Sequence, residues 1–195
     1  MTPFERAVVS LVEFLESELL PYMVIGGVAN LFWGVPRTTL DVDITVWADA
    51  HQISSLVERL GSRFKLLPED PIEFIQQTRV LPLQTGGGIR VDLIFGLLPY
   101  EEEAIRRARR ETFAGREIRI CSPEDLILHK LPSDRSRDRE DVRGVITRMR
   151  KNLDRAYLDP RVEGLAHDLS RPDILAFYRE CLATTSRSGI PDGVA

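Results

Sequence analysis

Apolar residues at Phe4, Val8, Leu11, Val12, Leu15 and Leu19 recur at helical spacing, which predicts a helix from residue 4 to residue 20, ended by Pro21. Tyr22 to Ile25 then reads as a short buried strand closed by Gly26-Gly27, and Val28 to Trp33 as a brief helix closed by Gly34 and Pro36. From Leu40 to Trp47 the pattern alternates. Leu40, Val42, Ile44 and Val46 are expected on one face of a strand, and Asp41, Asp43 and Thr45 on the other.

Residues 50 to 60 predict a helix that stops at Gly61, followed by a less regular stretch with strands at 64–67 and 79–83. Gly86-Gly87-Gly88 predicts a hairpin turn into a second alternating strand, in which Ile89, Val91, Leu93 and Phe95 oppose Arg90, Asp92 and Ile94. A charged helix over 101–111 and a short strand over 117–121 follow. Ser122-Pro123-Glu124-Asp125 combines an N-cap residue, a first-turn proline and early acids, which starts a helix. Beyond it the chain reads as mainly helical, with the last dozen residues frayed. The fold class implied is α/β (α+β): a mixed sheet core flanked by helices over residues 1–121, then a helical C-terminal segment over 122–195. That segment packs on the core or forms one domain with it.

Composition narrows the class. In 195 residues, 43% are hydrophobic and 29% charged, enough apolar content for a folded core. The formal net charge of −4 argues against a protein that coats nucleic acid. The two cysteines, Cys121 and Cys181, form no CxxC or disulfide-rich pattern, so a reducing compartment is expected. The N-terminal helix carries Glu5, Glu13, Glu16 and Glu18, unlike a signal sequence, and no apolar run is long enough to span a bilayer. A cytoplasmic protein with no membrane partner is the expectation.

The chemistry is carried by the acids. Residues i and i+2 of a strand share a face, roughly 7 Å apart. Asp41 and Asp43 therefore stand side by side, and two bare carboxylates at that range repel. A hard divalent cation relieves this, and Mg²⁺ characteristically takes one or two carboxylates plus substrate phosphates. Asp92 supplies a third acid if its strand lies beside the first. Three acids on one sheet surface can hold two ions about 3.5–4 Å apart. Gly26-Gly27 lets the backbone come close to a ligand, with the N–H groups of the following helix turned towards phosphates. Taken singly, each feature is ordinary: an acidic pair is a solvated face, a glycine pair a turn. Their combination and order point to nucleotidyl transfer from a triphosphate.

The neighbouring charges are less specific. Arg37, four residues before Asp41, suits a phosphate clamp as well as a surface ion pair. His129 lacks metal-ligand spacing, and Asp92 suits the base role better. Asp138 and Asp141 are expected to form exposed ion pairs. Two basic clusters, Arg106–Arg110 in one helix and residues 135–151, could follow an RNA backbone, but their interspersed acids favour a solvated face.

The run Gly26-Gly27-Val28-Ala29 with Gly34-Val35-Pro36-Arg37-Thr38-Thr39-Leu40-Asp41-Val42-Asp43 resembles the signature of the polymerase-β-like nucleotidyltransferase superfamily. Within it, the glycine pair and the Arg-Thr before the acids are similar to AbiEii-type toxin nucleotidyltransferases and their bacterial relatives. The resemblance covers roughly residues 20–145. It maps the third acid onto Asp92 and implies a phosphate-contacting role for Lys130, within Ser122–Leu131. One departure is Gly27, where many active members carry a serine whose hydroxyl can reach a phosphate.

The resemblance and the residues together imply a Mg²⁺-dependent enzyme that moves NMP from an NTP to a hydroxyl of RNA, protein or a small molecule. Asp41, Asp43 and Asp92 would be the catalytic and metal-binding acids, and Gly26, Gly27, Arg37 and Lys130 would bind the nucleotide. A toxin with an antitoxin partner is one form of this reading. An aminoglycoside- or lincosamide-modifying enzyme is a second. A non-catalytic binding module is a third, against which the three intact acids speak.

Overall fold

The computed structural model describes residues 1–39 and 41–187. Leu40, read from the alternation as a strand residue, lies outside them, as do residues 188–195 of the stretch expected to fray. The chain divides into two compact units, one of Met1–Ala29 with Arg37–Ser122, the other of Asn30–Pro36 with the residues from Pro123 on.

The first unit holds a seven-stranded mixed sheet. Its strands are β1 (Tyr22–Ile25), β2 (Val42–Val46), β3 (Lys65–Leu66), β4 (Val80–Gln84), β5 (Arg90–Phe95), β6 (Arg109–Phe113) and β7 (Arg116–Ile120), in the spatial order β3-β4-β5-β2-β1-β7-β6. β2 runs antiparallel to β1 and parallel to β5, while β1 runs parallel to β7. The apolar residues of the alternation, Val42, Ile44, Val46, Val91, Leu93 and Phe95, are all buried, as the period of two requires. The other face of β2 is covered as well. Thr45, expected beside the acids on an open face, is buried, so β2 is exposed on that side only at its Asp43 end.

α1 (Pro3–Ser17) begins at a capping box between Thr2 and Glu5 and buries Leu11, Val12 and Leu15. Arg116 at the start of β7 ties its outer side to Glu13 and Glu16, at 2.8 and 2.7 Å. α2 (Gly26–Trp33) begins at the glycine pair itself, two residues earlier than the apolar pattern suggested. α3 (Ile53–Arg63) continues through Gly61, where the expected stop fails; a β-carbon there would meet only Leu66, at ordinary contact distance.

Two elements depart from the sequence reading. α4 (Pro71–Thr78) occupies the stretch read as irregular, capped by Asp70, whose carboxylate accepts from the N–H of Glu73. The charged helix expected over 101–111 is instead α5 (Pro99–Arg107), after which the chain turns extended into the edge strand β6. The four arginines read as one helical cluster are therefore split between a helix end and a strand. Arg110 is paired with Glu117 across β6 and β7 at 2.9 Å.

A dense set of hydrogen bonds closes one end of the sheet. Arg79 takes a left-handed backbone conformation at the α4 C-cap, with φ of 63°. Its guanidinium donates to the carbonyl of Phe95 and to both oxygens of Glu101, at 2.8 and 2.6 Å. The same carboxylate accepts from the backbone N–H groups of Leu97 and Leu98, each at 2.9 Å.

The second unit contains α6 (Pro123–Lys130), α7 (Ser136–Met149), α8 (Arg155–Asp168) and α9 (Pro172–Arg187), around a core that includes Leu126, Ile127, Val142, Ile146, Leu158 and Phe177. Glu124 and Asp125, read as favourable first-turn charges, are fully buried and hold the start of α8. Glu124 accepts from the N–H of Asp154 at 2.9 Å, and Asp125 accepts from the hydroxyl of Tyr157 at 2.7 Å. Among the described residues no helix is long and apolar enough to cross a membrane.

Candidate active site

The site is assembled at the end of the sheet where β1 finishes and β2 and β5 begin. Antiparallel pairing sets Ile25 opposite Asp43, so the chain leaves β1 through Gly26 directly against that aspartate. Parallel pairing sets Asp43 opposite Asp92. Neighbouring strands lie about 4.8 Å apart, which brings the two carboxylates onto adjacent positions of one face. Both are half-buried. Asp41 precedes β2 and is exposed.

The glycines are dictated by their neighbours. Gly26 has φ of +62°, and a β-carbon on it would fall on Oδ2 of Asp43. A β-carbon on Gly27 would collide with Oγ1 of Thr39, whose hydroxyl donates to the carbonyl of Asp41 at 3.1 Å. The glycine pair thus lets the backbone at the start of α2 lie against Asp43 on one side and Thr39 on the other. The first N–H groups of a helix have no partner inside it and favour anions.

Arg90, which the sequence reading passed over, stands among these acids. Its Nε donates to Oδ1 of Asp92 at 3.0 Å and its Nη2 to Oδ2 at 3.4 Å. Hydrogen bonding to Asp92 and then its charge, with smaller contributions from Asp41 and Asp43, raise the affinity of the guanidinium for its proton against a weak opposing effect of burial. The signal for this residue was present in the alternation: positions 90 and 92 share a face and carry opposite charges.

Asp41, Asp43 and Asp92 are not preassembled as a metal cage. Among the described residues, no group of three or more His, Cys, Asp or Glu side chains is gathered so as to hold a metal ion. Asp41 lies outside the strand, and Asp92 is engaged by Arg90. The donors themselves still suit a hard cation. Asp43 and Asp92 offer two carboxylates in register, the number Mg²⁺ commonly takes from protein when phosphate oxygens complete its shell.

Two further candidates are Arg37 and Lys130. Arg37 is half-buried, and its guanidinium donates to the carbonyl of Thr38 at 3.3 Å. Lys130 belongs to the second unit, where it is buried with its ammonium 2.7 Å from both Asp138 and Asp141. Asp138 also accepts from the hydroxyl of Ser133 and from Arg135, each at 2.7 Å. These two aspartates, expected in exposed ion pairs, are instead the buried counter-charges of Lys130. Burial pushes the Asp138 carboxyl upward, but its hydrogen bonds from Lys130 and Ser133 and the charges of Lys130 and Arg135 outweigh this and hold it below the usual range.

A mixed sheet with a glycine-turned helix start facing acids on adjacent strands is the architecture of a nucleotidyltransferase core. Residues 4–168 match the family described as nucleotidyl transferase of unknown function (DUF2204), and the chain belongs to that family. It is accordingly an enzyme of the nucleotidyltransferase class. No protein of curated function matches it in sequence.

Solved structures share the fold. An antigenic nucleotidyltransferase-like protein from Paracoccidioides brasiliensis is 19% identical, with 90% of this chain and 91% of that one covered and a TM-score of 0.53. The antibiotic-resistance factor ANT(2'')-Ia is 21% identical, covers 92% and 99%, and gives a TM-score of 0.54. The lincosamide antibiotic adenylyltransferase LnuA, solved with lincomycin bound, is 16% identical, covers 74% and 96%, and gives 0.51.

Proposed function

We propose that this chain transfers NMP from an NTP to a hydroxyl of a small acceptor molecule in a Mg²⁺-dependent reaction. The observation that carries the reading is the register of Asp43 with Asp92, with the Gly26 backbone lying against Asp43. Asp43 and Asp92, with Asp41 beside them, would hold Mg²⁺, which when bound neutralises charge on the phosphates. The Gly26 and Gly27 N–H groups would seat the β- and γ-phosphates. The acceptor oxygen attacks the α-phosphorus and forms the new O–P bond. The bond to the β-phosphate breaks and pyrophosphate leaves, while the hydroxyl proton passes to the Asp92 carboxylate and on to water.

A small acceptor is favoured over RNA by the state of the arginines. Four of the arginines in the two basic clusters face acids of the chain: Arg110 faces Glu117, Arg135 Asp138, Arg139 Asp173 and Arg143 Glu180. ANT(2'')-Ia and lincomycin-bound LnuA lend the same support, since both are antibiotic-directed proteins of this fold. Lys130 is held between Asp138 and Asp141, and drawing its ammonium towards a phosphate would break both buried pairs. An AbiEii-like toxin acting on RNA or protein is the competing reading.

The test is label transfer from α-³²P NTP, with each of the four nucleotides, to a panel of aminoglycosides and lincosamides beside tRNA and total protein. Transfer to a small acceptor that Asp43→Asn abolishes, with folding intact, is expected. Equal labelling by wild type and Asp43→Asn would overturn the assignment of the site. Labelling confined to tRNA or protein would overturn the small acceptor.

A further inference from the structure

Arg90 has no structural duty that accounts for its position. It is largely exposed, and its hydrogen bonds to Asp92 join two residues of the same strand, so they tie no separate parts of the fold together. An ion pair of that exposure contributes little to stability. What distinguishes it is the company it keeps. Both carboxylate oxygens of Asp92 face its guanidinium, and the charges of Asp41 and Asp43 act on it as well. The oxygens that would face a divalent ion are thus already turned to a cation belonging to the chain.

We propose that Arg90 is a built-in counter-ion that occupies the place of the divalent cation at Asp92, so that metal enters effectively only together with a triphosphate. The inference rests on the Asp43–Asp92 site proposed above. Arg90 gives up Asp92 when another set of anionic oxygens is offered to it, and phosphate oxygens suit a guanidinium as well as a carboxylate does. The free enzyme then binds metal weakly, and nucleotide and metal raise each other's affinity, as linkage requires. Without nucleotide, the three acids are kept from collecting stray cations.

The experiment measures Mn²⁺ binding by electron paramagnetic resonance, with no turnover involved, for wild type, Arg90→Gln, Asp92→Asn and Asp43→Asn. Each is titrated alone and with a non-hydrolysable NTP analogue. Removing a unit charge close to a divalent ion in a solvated site should tighten Mn²⁺ binding by Arg90→Gln about tenfold in the absence of nucleotide. The gain in affinity that the analogue gives wild type should shrink in the variant, while the unfolding midpoint stays put. Equal or weaker Mn²⁺ binding by Arg90→Gln, or no binding by either protein alone, would overturn the counter-ion role. If Asp43→Asn and Asp92→Asn bind Mn²⁺ as wild type does, the site itself fails, a result the Arg90 comparison cannot mimic.

Discussion

Gly26 lacks a β-carbon at the point where Oδ2 of Asp43 stands, so the turn out of β1 and the first acid of β2 are fitted to each other. Gly26→Ala must move the carboxylate and also strain a backbone at φ of +62°. We expect a loss of about 1–2 kcal/mol from the backbone conformation alone. Urea unfolding measures this, and label transfer should fall far more than stability does.

Gly27 and Thr39 form a compensating pair. Gly27→Ser places its side chain on the hydroxyl of Thr39 and should be poorly active and less stable. Gly27→Ser with Thr39→Gly relieves the collision and returns a hydroxyl to nearly the same space. Thermal unfolding should show the double variant recovering most of what the single one loses. No recovery would mean that Thr39 is needed for itself.

Lys130 makes a separate prediction in the second unit. Lys130→Met removes the buried cation shared by Asp138 and Asp141, a loss of about 3–5 kcal/mol for a broken buried pair. Adding Asp138→Asn and Asp141→Asn should restore part of it. If Lys130→Met instead left stability unchanged and raised the KM for NTP, the lysine would be a nucleotide contact after all.

Asp138 also sets a pH dependence. Its folded pKa is lowered, so its contribution to stability is present above the ordinary carboxylate value and is lost as pH falls through the lowered one. The stability difference between wild type and Asp138→Asn should be constant near neutrality and shrink below about pH 4. Denaturant unfolding across that range gives the answer directly.

EDTA should stop label transfer and added Mg²⁺ should restore it, with the unfolding curve unmoved, because Asp43 and Asp92 hold their places through strand pairing. Transfer that persists after chelation would remove the metal from the proposal.

The parts of this molecule that were legible in the sequence are those where one physical signal dominated. β2 and β5 followed from strict alternation, and their acids stood out because every neighbour on the opposite face was apolar. β6 did not, since an edge strand of Arg109-Arg110-Glu111-Thr112-Phe113 has no apolar face to reveal its period, and the preceding helix was extended through it. α4 was missed despite its Asp70-Pro71 start because its eight residues bury only Ile75. Asp138 and Asp141, read as exposed, were misjudged for another reason. Charges well separated along the chain look solvated one by one, and only packing shows that they neutralise each other. Arg90 was placed on the face of Asp92 by the alternation, but no role was read for it.

The bonds around Arg79 and Glu101 lie at the Val46–Phe95 end of the sheet, three residues along each strand from Asp43 and Asp92. About 10 Å of strand separates the two ends. The chain has thereby divided its anchoring from its chemistry along a single set of strands. Substitutions at Asp43 or Asp92 therefore leave those anchors in place, so that a loss of activity there can be read apart from a loss of fold.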